Sequence, residues 1–88
     1  MALHNHVAGE IRKRYGYDTA VQEGHTVVAV DGGQEIRLSH HDRFTWRWEL
    51  RAADERIADG QIWAEQLEDL CAIVDQLACA ACMGEAMA

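Results

Sequence analysis

Three cysteines, five histidines and fifteen carboxylates give this 88-residue chain the side chains for metal binding, acid–base work or electrostatic docking. Cys79 and Cys82 stand at the spacing of metal ligands and redox pairs. With a rise of ~1.5 Å per helical residue, Cys71 and Cys82 share a side but lie ~16 Å apart, while Cys79 turns toward the acids. A structural zinc would need a second ligand pair from another element, and only His4, His6, His40 and His41 could supply it. A redox thiolate is disfavoured at a helix C-terminus by the helix dipole. The expectation is no metal and no cofactor, with small apolar side chains in a helix end.

Acid–base and nucleophilic chemistry fare no better. His40, His41 and Asp42 are adjacent, and neighbours on a strand point to opposite faces, so the two rings cannot easily meet one substrate. Ser39 is the only serine and has no nucleophile elbow around it. Gly32-Gly33 is too little for a phosphate loop. No residue set meets the demands of catalysis, so the chain reads as a non-enzyme.

Two charged sets remain. Arg37, Arg43, Arg47 and Arg51 fall on one face of candidate strands, as a single-stranded nucleic-acid binder would arrange them. The expected aromatic partners Phe44, Trp46 and Trp48 share the opposite face, however, and Glu35 and Glu49 offset part of the stripe. Cross-strand ion pairs on a solvated face are therefore expected. The acidic set comprises Asp54, Glu55 and Asp59, expected in a turn, then Glu65, Glu68, Asp69 and Asp75, expected on one helix face. No lysine or arginine follows Arg56, whereas exposed helices usually mix both signs.

The elements that must position these residues follow from periodicity. Leu3, Val7, Ile11 and Tyr15 recur every four residues and Gly16 follows, so a short amphipathic helix is expected over 2–15. Turn signals then separate candidate strands near 17–22, 26–30, 34–39, 43–51 and 56–59. Phe44 to Arg51 alternates strictly between apolar and polar. Asp31-Gly32-Gly33 suits a tight hairpin. From Ile62 to Cys82 the period becomes helical, with Trp63, Leu67, Leu70, Cys71, Val74 and Leu77 along one arc. The fold expected is α+β. It is a two-layer sandwich in which a long C-terminal amphipathic helix covers an antiparallel meander of four or five strands, and the short N-terminal helix closes one edge. Residues 1–88 make one domain, with the tail 83–88 frayed.

Charge then narrows the partner. Fifteen acids against eight bases leave −7, and residues 1–51 are balanced, so the whole excess lies in residues 52–88. Duplex nucleic acid would be repelled. There is no apolar run long enough to span a membrane and no basic-then-apolar leader, and with three thiols this points to the cytoplasm. In size, acidity and lack of catalytic motifs the chain resembles the small inhibitors of phages and mobile elements, such as anti-CRISPR proteins and DNA mimics. That resemblance implies a protein partner with a basic surface, within a nucleic-acid-handling complex, met by the acidic residues. Two alternatives stand beside it: single-stranded nucleic acid on the arginine-lined sheet face, and a homodimer burying Trp63, the tail or a sheet edge.

Overall fold

The computed structural model describes residues 2–30, 33–53 and 55–83, with the side chains of Ala2, Cys82 and Met83 outside that description. Its elements are α1 (Ala2–Tyr15), β1 (Thr19–Gln22), β2 (His25–Val30), β3 (Gln34–His40), β4 (Thr45–Ala52), β5 (Glu55–Trp63) and α2 (Leu67–Met83). The five strands pair antiparallel in sequence order, a complete meander. The α+β sandwich expected from periodicity is the fold observed.

Alternation along β4 sets the two faces of the sheet. Its even positions extend into rows across the strands: Val28, Ile36, Leu50 and Ala58 in one, Thr26, Leu38, Trp48 and Gly60 in the next. Both helices cover this face. Val7 and Ile11 of α1 meet Leu70, Val74 and Ala78 of α2 in one buried cluster with the sheet residues. Gly60 is required where it stands, because an added Cβ would lie 2.7 Å from the Trp48 indole nitrogen.

Two expectations change. The N-terminal helix closes the β1 edge as expected, lying over β1 and β2 and sharing the cover with α2, but its buried stripe differs. Its buried stripe is His4, Val7, Ala8 and Ile11, while Leu3 and Tyr15 at the ends of the expected stripe are exposed. His4 is accommodated because its Nδ1 shares a 2.7 Å hydrogen bond with the Thr26 hydroxyl, which removes much of the cost of burying a polar ring. Gly16, at φ 79°, ends the helix by donating its N–H to the Arg12 carbonyl at 2.9 Å.

The second change concerns residues 62–66, which are not helical. β5 runs to Trp63, because the eight-residue β4 offers a second hydrogen-bonding edge along its whole length, from Ala52 opposite Glu55 to Thr45 opposite Trp63. The Gln66 carbonyl accepts the first helical N–H groups, from Asp69 and Leu70, both at 3.2 Å, so α2 starts after it. At the other end, Met83 belongs to α2 rather than to a frayed tail, and residues 84–88 lie outside the described residues.

In the turns, Glu23 and Gly24, both at positive φ, make the two-residue connection between β1 and β2. Ala53, at φ 57°, begins the connection to β5. Of the expected Asp31-Gly32-Gly33 hairpin only Gly33 is described, at φ 76°; Asp31 and Gly32 lie outside the described residues.

Candidate binding surfaces

The sheet face away from the helices carries Arg37, Arg47 and Arg51, and register decides what each one meets; Arg43, expected on the same strand, lies instead in the bend before β4, at the groove margin beside α2. Arg37 lies opposite Glu49 and binds Glu35 at 2.7 Å. Arg51 reaches Glu49 at 3.7 Å, and Arg56 bridges Glu49 at 3.7 Å and Asp59 at 3.1 Å. Ion pairs of this kind make a self-satisfied lattice over the β3–β5 end that is nearest the 53–55 turn. Arg47 differs: its cross-strand neighbours are Ser39 and Gln61, both uncharged, and it has no carboxylate partner among the described residues.

Beyond Arg47 the same face ends in aromatic side chains. Trp63 lies opposite Thr45, on the face of Arg47 and Gln61, and is 63% exposed. Its ring is 5.8 Å from that of Phe44, and the Arg43 guanidinium lies 5.2 Å from the Phe44 ring centre. Asp42 holds this corner in shape. Its Oδ1 accepts the N–H groups of Phe44 at 3.2 Å and Thr45 at 3.0 Å. Those bonds, led by the one from Phe44, keep the Asp42 carboxyl below its ordinary pKa. The expectation that Phe44 shares the covered face with Trp46 and Trp48 is therefore corrected, and Trp63, read from its spacing as part of a helix, belongs to the open face. Ile62 buried and Trp63 exposed is the alternation of a strand, a signal present in the sequence but overlaid by the helical spacing of Trp63, Leu67 and Leu70.

The acids divide in the same way. Asp59 lies in β5 on the open face and is bound to Arg56. Asp75 accepts the Tyr17 hydroxyl at 2.8 Å, tying the segment after α1 to the middle of α2; burial and this bond push the Tyr17 phenol well above its ordinary pKa. Glu55 is exposed at the start of β5, and Asp54 lies outside the described residues. Glu65 precedes α2 rather than sitting on it, and Glu68 and Asp69 occupy its first turn, where negative charge favours the helix dipole. These three are exposed and have no cation partner among the described residues; the nearby Arg14 of α1 is bound to Glu10 at 3.1 Å instead. The six described acids of this set thus do not form one face.

Between the two sets lies a groove of about 210 Å³ with Leu3, Trp46, Leu67 and Leu70 as apolar walls and His40, Arg43 and Glu65 at its polar margin. It is smaller than the ~300–1,000 Å³ typical of ligand pockets. The His40 ring packs 4.7 Å from Trp46, so it is committed to the groove wall and not presented with His41. Cys71 is buried, which raises its thiol pKa, and Cys79 is exposed with Sγ 4.0 Å from both the Tyr17 hydroxyl and Asp75. The described residues contain no group of three or more His, Cys, Asp or Glu placed to hold a metal. No helix among them is long and apolar enough to cross a membrane. Comparisons with protein families, with curated proteins and with solved structures give no match.

Proposed function

We propose that this chain is a non-enzymatic protein-binding domain, a small acidic inhibitor of the phage or mobile-element kind. It would dock onto a cationic surface of a nucleic-acid-handling protein. Glu65, Glu68 and Asp69 supply the contact. The observation that carries this reading is their availability: they are exposed and without a cation partner among the described residues, whereas Asp59 and Asp75 are held by Arg56 and Tyr17. Unpaired carboxylates at one end of a chain of charge −7 steer association with a basic surface and make it fast and salt-sensitive.

Replacing all three by lysine tests this directly. The Glu65→Lys, Glu68→Lys, Asp69→Lys protein is expected to keep its circular dichroism spectrum and to lose a basic nucleic-acid-handling protein that the unmodified chain captures from a host lysate. Capture unaltered by the triple change would show that these carboxylates are only a solvated surface.

A further inference from the structure

We infer that the corner formed by Arg43, Phe44, Arg47 and Trp63 binds a short segment of single-stranded nucleic acid. It is a different surface from the acidic end of α2, with chemistry of its own. Among the described residues Trp63 is the most exposed of the large apolar side chains, at 63%, and it stands on a sheet face that no helix covers. An exposed indole offers a base a stacking surface, and stacking is indifferent to sequence because every base has a π-face.

The charges beside it fit a phosphate backbone. Arg47 has no carboxylate partner among the described residues, and Arg43 packs on the Phe44 ring at the margin of the groove with no ion pair there among the described residues. Arg47 sits diagonally across from Trp63, a spacing of ~7–8 Å between Cα positions. Arg43 stands in the bend before β4, against the Phe44 ring, which is itself 5.8 Å from that of Trp63. The two cations therefore lie beside the Phe44–Trp63 pair. Elsewhere on this face Arg37 and Arg56 are bound to carboxylates and are not free to meet phosphate. A net charge of −7 argues against a long polyanion lying across the molecule, but a short strand confined to this corner lies beside two unpaired cations. Asp42 beside Arg43 is engaged by the Phe44 and Thr45 N–H groups and Glu65 stands across the groove margin, while fields from more distant acids are screened beyond a Debye length of ~8 Å at physiological salt.

The test is a titration of the intact chain with labelled oligothymidylate of about ten nucleotides, read by anisotropy and by tryptophan emission. Trp46 is 5% exposed and Trp48 lies under the helices, so quenching reports Trp63. Binding should weaken with salt at a slope of about −1.4 in log–log terms, two contacts at about −0.7 each, and Arg47→Ala should reduce the slope to about −0.7. Trp63→Ala should weaken binding about tenfold or more and abolish the quench. Both positions are exposed, so both variants should keep the unfolding temperature of the parent. Absence of binding at about 50 mM salt overturns the inference, as does binding that both substitutions leave unchanged. Displacement by polyglutamate as effective as by unlabelled oligothymidylate also overturns it, and would assign the corner to an acidic polypeptide. A Glu68→Lys, Asp69→Lys protein should still bind the oligonucleotide, which separates this outcome from that of the acidic docking surface.

Discussion

Arg51 and Arg47 lie four residues apart on the same face of the same strand, and their situations are opposite. Arg51 is flanked across the strands by Glu35 and reaches Glu49, so its charge is spent inside the molecule. Arg47 is flanked by Ser39 and Gln61 and remains available. Asp75 and Asp69 repeat the contrast on α2: one accepts a hydrogen bond from Tyr17, the other stands unpaired in the first turn. Residue type is the same within each pair. What separates a structural charge from an available one is the register of its neighbours, and both proposed surfaces are built from the available members.

Four substitutions can break or sharpen this contrast. Gly60→Ala should have the largest effect on stability, because the added Cβ meets the Trp48 ring at 2.7–2.9 Å. A loss of about 1–3 kcal/mol is expected in denaturant unfolding, and an unchanged midpoint would mean that the indole moves aside freely. Tyr17→Phe removes the bond to Asp75 and should cost about 1 kcal/mol by the same measurement. Capture of a basic partner should be unaffected, since the change frees a carboxylate rather than removing one.

Smaller effects are expected on the open face. Arg51→Ala should lower stability by only ~0.2–1 kcal/mol, the range of exposed ion pairs, and should leave oligonucleotide binding intact. Arg47→Ala should show the reverse pattern, with binding reduced and thermal unfolding unchanged. If the two variants behave alike, register is not what distinguishes them.

The smallest effect is a dependence on pH carried by His4. Burial, with His25 and His40 adding like charge, holds its imidazole below the ordinary value of 6.5. Above pH 6.5 the ring is neutral whether the chain is folded or not, so His4 adds no slope there. Below it the unfolded chain takes up the proton first, and stability falls with falling pH until the folded ring is protonated too. Thermal unfolding followed between about pH 7.5 and 5 should show this decline, and His4→Gln should flatten it.

Much of the architecture was readable from the residues alone because its signals are local. The period of two in β4, the glycine after α1 and the helical period of Leu70, Val74 and Ala78 each depend on a few neighbouring positions. The start of α2 was not readable in that way. Trp63, Leu67 and Leu70 satisfy helical spacing, but the free edge of β4 holds the chain extended through Trp63, and that pairing is a non-local interaction. The candidate surfaces were hidden for the same reason. A stripe of arginines and a run of acids are visible in the sequence, but which of them face carboxylates, a tyrosine or open solvent depends on strand pairing and helix packing. The expected single acidic face therefore separates into spent and available groups, while the Trp63 corner emerges only once β5 is in place.

Capture of a partner by two altered baits, compared side by side, tests the central claim most directly. One bait carries Glu65→Lys, Glu68→Lys and Asp69→Lys; the other carries Asp59→Asn and Asp75→Asn, neutralising the acids already held by Arg56 and Tyr17. The account predicts that the first bait loses a basic nucleic-acid-handling protein retained by the parent chain, and that the second keeps it. Loss with the second bait and retention with the first would contradict it.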